Sequence, residues 1–240
     1  MASVAQKSSA LFKTSLGKKY LMGLTGLFLI TFLVVHCFIN AMVFFDASGS
    51  LFNEYAHFMG TNIIIRIMEV GLFAGFLVHI VDGLMLYFQN RAARPQKYVY
   101  SDRSANSSWY SRSMAILGTL LLIFLIIHLG HFWVKSRHII GTLPEVDHPV
   151  FKGQMIDLYS QMVVVFSEWY FVVLYVLAQF ALGFHLLHGF WSAFQSLGLN
   201  HTKYNNFIHK TGTAFAIIVP LIFALMPIVI YLRTTGAISF

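Results

Sequence analysis

The chain alternates between long apolar runs and short polar connections. Five runs stand out, at about residues 21–45, 63–89, 113–134, 165–194 and 211–232. Each meets the roughly 20 apolar residues that a helix needs to cross the hydrocarbon layer of a bilayer. The connections hold turn-forming residues, as in "DASGS", "NRAARPQKYVYSDRSANSS" and "GTLPEVDHP". The pattern predicts an all-α protein: a single membrane domain over residues 1–240, built as a bundle of five transmembrane helices. No internal repeat or low-complexity segment interrupts it. The connection over 135–160 is long enough for a short helix at the membrane interface. Lys18 and Lys19 precede the first run, as in a signal peptide. The run from Leu21 to Phe45 exceeds the ~7–15 residues of a signal core, and no small-residue cleavage site follows convincingly, so it reads as a retained span. No amphipathic, Arg- and Ser-rich transit segment is evident.

Composition agrees with a membrane environment. Of 240 residues, 58% are hydrophobic and 10% charged, against about 25% charged in a soluble domain. The 24 Phe and 11 Tyr suit lipid-facing and interfacial positions. Cys37 is the single cysteine. That rules out an internal disulfide, a CxxC metal site and the CxxCH attachment of a c-type haem. The net charge of +7 is not gathered into a basic domain, and there is no Gly-rich phosphate loop. No nucleic-acid partner is expected.

The distribution of Lys and Arg predicts orientation instead. Lys7, Lys13, Lys18 and Lys19 lie at the amino end. Arg91, Arg94, Lys97, Arg103 and Arg112 lie in the second connection, and Lys203 and Lys210 in the fourth. Those eleven share one side; Arg66, Lys135, Arg137, Lys152 and Arg233, five in all, share the other. The amino terminus is expected in the cytoplasm and the carboxyl terminus outside.

Histidine is the polar residue that recurs at membrane depth. The first four spans carry His36, His79, His128 with His131, and His185 with His188; the fifth has none. One such residue is ordinarily a satisfied structural side chain. Four consecutive helices each bearing one suggest a shared purpose, because ionisable groups in membrane spans usually face the bundle interior. His36 follows Lys19 by 17 residues and His128 follows Arg112 by 16. At ~1.5 Å per residue both stand about 25 Å from the cytoplasmic side. His79 precedes Arg91 by 12 residues, and His185 lies late in an inward-running span. The four therefore sort into two pairs at two depths: His36 with His128, and His79 with His185.

Facing imidazoles on neighbouring helices are a means of holding haem iron. Zinc is the competing metal, but it normally gathers four ligands at one point, which two depths do not provide. Gly71, Gly75, His79 and Gly83 share a face of span two; Ala181, His185 and Gly189 share a face of span four. Such stripes leave room for a flat macrocycle or serve helix packing, and the sequence leaves both open. His131 and His188 follow the favoured residues by three positions and point nearly the same way. Depth favours His128, and a repeated H-x-x-x-G favours His185.

With these residues placed, the chain resembles the di-haem cytochrome b membrane-anchor subunit of succinate dehydrogenases and fumarate reductases. The resemblance covers about residues 15–235. It is carried by "TGLFLITFLVVH" ending at His36, "YAHFM" at Tyr55–Met59, "HIVDG" at His79–Gly83, "LIFLIIH" ending at His128, "SEW" at Ser167–Trp169, and "FHLLHGFWSAF" from Phe184. It implies two haems b with axial ligands His36, His79, His128 and His185, the His36/His128 pair being outer and the His79/His185 pair inner. It further implies a peripheral flavoprotein subunit and an iron–sulfur subunit as partners, besides membrane lipid. Electrons from succinate would pass through the inner and then the outer haem to menaquinone or another quinone, within the respiratory chain and tricarboxylic acid cycle. Six-coordinate iron suits electron relay. The location implied is a bacterial cytoplasmic membrane, and a higher oligomer of the complex is compatible with the resemblance.

The resemblance also marks a departure. Some fumarate-reducing members carry a glutamate two positions before the fourth ligand; here that residue is Gly183. Succinate oxidation is therefore favoured over fumarate reduction. For the inner-haem propionates, Ser192, Ser196 and Lys203 are candidates, with Lys19 and Trp109 on the same side. A quinone needs protons at its oxygens, which makes His57, Arg66, Glu69 and Glu168 candidates, with Trp169 lining the ring. An i,i+3 ion pair is the structural alternative for Arg66 and Glu69, and interaction with a helix start is the alternative for Glu168. The chain has no flavin or dinucleotide fingerprint, so alone it is expected to catalyse nothing. Two other readings compete: a di-haem cytochrome b of another membrane dehydrogenase, such as one acting on formate or hydrogen, and a haem-free proton-coupled transporter.

Overall fold

The computed structural model describes residues 14–93, 107–147 and 153–238. Helix α1 is Ser15–Asn40, continued by a 3-10 turn over Ala41–Phe44; α2 is Ser50–Thr61 and α3 Ile63–Ala92. Then come α4, Trp109–Arg112, and α5, Met114–His128, which runs through a π-helical turn at Leu129–Trp133 into α6, Val134–Ser136. Strands β1, Glu145–Asp147, and β2, Gln154–Ile156, pair antiparallel with Val146 opposite Met155. Helix α7 is Leu158–Phe166, α8 Trp169–Ser196 and α9 Thr202–Thr234. Of the charged residues used to predict orientation, Lys7, Lys13, Arg94, Lys97, Arg103 and Lys152 lie outside the described residues.

Five helices are long and apolar enough to cross a membrane: Ser15–Phe44, Ile63–Ala92, Met114–Ser136, Trp169–Ser196 and Thr202–Thr234. Leu24, Val34, Ile67, Val70, Phe180 and Ile217 are each more than half exposed. So much large apolar surface is suited to contact with lipid. The protein is a multi-pass, mostly helical membrane protein.

The observed helices overrun the predicted spans where polar residues continue a helix beyond its apolar part. The fifth starts at Thr202 rather than near 211, and "TKYNNFIHK" forms its first turns. The first starts at Ser15, with Thr14 Oγ1 accepting the Gly17 N–H at 3.0 Å, an N-cap bond. The fourth, by contrast, begins later, at Trp169 rather than 165, because α7 ends at Phe166 and Ser167 and Glu168 separate the two. A single residue, Asn62, separates α2 from α3; its extended backbone ends one helix and its Oδ1 accepts the Ile64 N–H at 3.0 Å to open the next.

The chain divides into two compact units. Unit one comprises Met1–Phe32, Gly71–Gly118 and Phe184–Ala216; unit two comprises Leu33–Val70, Thr119–Gly183 and Ile217–Phe240. In unit one, glycines bring helices close. A methyl at Gly212 would stand 2.5 Å from Cδ1 of Phe190, and one at Gly75 would stand 2.9 Å from Cε1 of Phe28. Unit two has a core of Met42, Val43, Phe52, Met162, Phe166, Tyr175 and Ile230 among others. Arg233 Nη1 donates to the Val43 carbonyl at 2.7 Å, tying the end of α9 to the turn after α1.

Unit two also carries a polar cap formed by α2, α7 and the hairpin. Asp157 opens α7: its Oδ1 accepts the Ser160 N–H at 3.0 Å and the Asn53 Nδ2 proton at 2.7 Å. Asn53 Oδ1 accepts the Tyr159 N–H at 2.9 Å in return. Asp46 accepts from the Ser48 and Leu51 N–H groups, both at 2.9 Å, shaping the entry to α2. Gly49 precedes α2 at φ 75° beneath the Tyr159 ring, where an added methyl would stand 2.0 Å from Cγ. Only glycine satisfies both the left-handed backbone and that contact.

Candidate functional site

Each unit contains one pair of facing histidines. In unit two, His36 of α1 and His128 at the end of α5 have ring centroids 5.7 Å apart with planes at 90°. In unit one, His79 of α3 and His185 of α8 have centroids 6.3 Å apart with planes at 63°. Each pair joins two helices far apart in sequence.

These separations fit a metal held between two rings. A metal–imidazole bond is about 2.0 Å, taking zinc as the gauge, and each ring centre lies about 1 Å behind its nitrogen, so two opposed ligands place their centres about 6 Å apart. Nδ1 of His128 and of His185 is buried without a hydrogen-bond partner, although buried polar atoms are ordinarily paired. Glycines lie beside two of the rings. A methyl at Gly26 would meet His79 Cε1 at 3.6 Å, and one at Gly118 would meet His185 Cε1 at 4.0 Å. No group of three or more His, Cys, Asp or Glu able to hold a metal ion occurs among the described residues. A zinc centre of the usual kind is thus not found among them, whereas two-imidazole sites fit a haem iron, whose remaining ligands come from the macrocycle.

The small-residue stripes divide in role. Gly75 packs on Phe28 and Gly83 faces Met22, where a methyl would stand 3.4 Å from Cε; a methyl at Gly71 or Gly189 would meet nothing within 4 Å. The first two serve helix packing, and the latter two leave open space. Ala181, in the span-four stripe, is buried.

The spare histidines turn to other partners. His131 lies within the π-helical turn, and its Nδ1 is 2.9 Å from the Tyr175 hydroxyl, the two rings stacking at 8°. The wider turn after His128 rotates His131 away from the direction that α-helical spacing would give it. His188 Nε2 lies 3.1 Å from Ser192 Oγ.

Each site has a polar neighbour on the first span, and neither was named as a candidate from sequence. Asn40 Nδ2 is 3.3 Å from His36 Nδ1 and donates to the His36 carbonyl at 2.8 Å. Thr25 Oγ1 is 3.0 Å from His79 Nδ1. Asp82, three residues after His79, is 1% exposed with neither carboxylate oxygen hydrogen-bonded, and Lys18, also buried, is the charge acting on it. An interruption of an apolar run by Thr, Asn or Asp was the available signal; it marks a residue but not its partner.

The quinone candidates all fall in unit two. Glu69 accepts from Arg66, from Arg137 Nη2 at 2.9 Å and from Trp133 Nε1 at 2.6 Å. The Arg66–Glu69 ion pair is therefore present, within a larger cluster that adds Trp133 of the third span and Arg137 just beyond its end. Arg137 Nε is buried without a partner. His57 is half-buried on α2, and its carbonyl accepts from Thr61 Oγ1 at 2.8 Å. Glu168 and Trp169 are exposed at the start of α8: the Glu168 carbonyl accepts the Phe171 N–H at 3.0 Å, and the Trp169 ring packs edge-on against Tyr170.

No protein-family model, curated protein or solved structure matches the chain. Fold and geometry together define a class: a multi-pass helical membrane protein with two pairs of facing histidines.

Proposed function

We propose that the chain is a di-haem cytochrome b, with His36 and His128 holding one haem b and His79 and His185 the other. More particularly, we read it as the membrane-anchor subunit of a succinate:menaquinone oxidoreductase in a bacterial cytoplasmic membrane. It would relay electrons from a peripheral iron–sulfur subunit, itself served by a flavoprotein subunit, to a membrane quinone. The observation that carries the reading is the pair of ring separations, 5.7 and 6.3 Å, each close to the about 6 Å of two opposed metal-bound imidazoles. The excess of Lys and Arg on one side supports a cytoplasmic amino terminus and an external carboxyl terminus. Gly183, in place of a glutamate, favours succinate oxidation.

Haem b, when bound, supplies a reversible one-electron couple. The chain's own part is to fix and enclose it. Helices α1 and α5 present one imidazole pair, and α3 and α8 the other. Phe124 stacks on His128 at 5.5 Å and Phe223 packs against His36 at 5.6 Å, excluding water from that pair. In the same unit, the Glu69 cluster supplies a polar wall for a quinone: Arg66 and Arg137 are held in place, and the free Nε–H of Arg137 is a donor for a quinone carbonyl. His57, Glu168 and Trp169 complete the candidates.

Single substitutions test the pairing. His36→Ala and His79→Ala should each leave about one haem per chain, and the haem lost should differ between them. Loss of the same haem from both variants refutes the assignment.

A further inference from the structure

Thr25 and Gly26 of "TGLFLITFLVVH" both lie against His79. Thr25 Oγ1 donates to the Leu21 carbonyl at 2.8 Å, with a second approach to the Met22 carbonyl at 3.2 Å. The same oxygen lies 3.0 Å from His79 Nδ1. A threonine hydroxyl carries one proton, and here the helix carbonyls hold it. Toward His79 the oxygen can offer only a lone pair, so the bond is Nδ1–H donating to Thr25 Oγ1. Neutral imidazole has one N–H. With that proton on Nδ1, Nε2 carries the free lone pair. A methyl at Gly26, the next residue, would stand 3.6 Å from Cε1, in ordinary contact with the ring.

We propose that Thr25 is a positioning residue that locks His79 in the Nδ1–H tautomer and so presents Nε2 as a metal ligand. The inference rests on the di-haem reading for its consequence, but the tautomer itself follows from three hydrogen-bond distances. The pair is asymmetric: the facing residue, His185, has an unpartnered Nδ1. A hydrogen bond from the far nitrogen of a ligating histidine raises its basicity, which favours the oxidised metal. Thr25 therefore lowers the potential of the His79/His185 haem and leaves the His36/His128 haem alone.

The test is a redox titration of the purified, haem-loaded protein alongside Thr25→Val, which keeps the shape and removes the hydroxyl, and Thr25→Ser, which keeps the hydroxyl. Thr25→Val should raise the midpoint of one haem, by about tenfold in its reduced-to-oxidised ratio, or about 59 mV for one electron. Selective loss of that one haem supports the proposal equally, and Thr25→Ser should match the wild type. Unmoved midpoints in Thr25→Val, loss of both haems, or a Thr25→Ser that behaves like Thr25→Val would overturn it. Wild-type protein that binds no haem would defeat the di-haem reading instead. The tautomer is then read from nitrogen-15 spectra of histidine-labelled protein. In the reduced, haem-loaded protein Thr25→Val must shift the Nδ1–H resonance of one histidine, as loss of its hydrogen-bond acceptor requires, and an unchanged spectrum overturns the proposal.

Discussion

At the scale of the residue, the account depends on which histidine of each neighbouring pair faces across the bundle. His128 meets the His36 ring, whereas His131 is engaged by Tyr175 and His188 lies beside Ser192. His131→Phe should therefore retain both haems with an unchanged spectrum. It leaves the buried Tyr175 hydroxyl without its histidine, at about 1–3 kcal/mol, measurable as a lower thermal midpoint in detergent. Loss of one haem in this variant would move the ligand from His128 to His131. The histidines themselves were legible in the sequence, because an imidazole inside an apolar run stands out and helical rise gives its depth. Thr25, Asn40 and the Trp133–Arg137 side of the Glu69 cluster were not. Each acts through a partner 4 to 68 residues away, and apolar patterning carries no information on azimuth between helices.

At the scale of the element, apolar length located the five spans, since a bilayer imposes one length on every crossing. It did not locate their polar ends. The start of α9 is held by the Lys203 N–H donating to His201 Nδ1 at 3.2 Å, and the entry to α2 by Asp46, bonds that hydropathy does not register. Among the described residues no helix lies wholly within 135–160: a two-stranded hairpin occupies part of it, and α7 begins only at Leu158. The π-helical turn was equally invisible, although it decides where His131 points.

The cap of unit two carries a pH dependence. Bonds from the Leu51 N–H and the Ser48 hydroxyl hold the Asp46 carboxyl below the usual carboxylate range. For Asp157, burial pushes upward, but bonds from Ser160 and Asn53 outweigh it and the net direction is also down. The folded carboxyls thus release their protons more readily than unfolded ones, near about 3.9. Their stabilisation is complete above that value and is lost as pH falls through the lower folded values. Hydrogen exchange at α2 and α7 should show steady protection of Leu51 and Ser160 down to about pH 5, after allowance for the intrinsic exchange rate, and declining protection below about pH 4. Asp157→Asn should flatten the Ser160 response. Full protection persisting at about pH 2 would show that these carboxylates do not hold the cap.

At the scale of the whole molecule, there are five candidate crossings and two compact units, each with one pair of facing imidazoles, and the di-haem proposal rests on those two pairs. Four of the five spans supply a facing histidine, and the fifth contributes packing through Ala216, Met226, Pro227 and Ile230. This division follows from the sequence, where span five lacks histidine at membrane depth. The most direct measurement is a reduced-minus-oxidised absorption spectrum of the purified chain, with chemical quantification of haem. The account predicts a low-spin haem b spectrum at about two haems per chain. A colourless preparation that is demonstrably folded would contradict it.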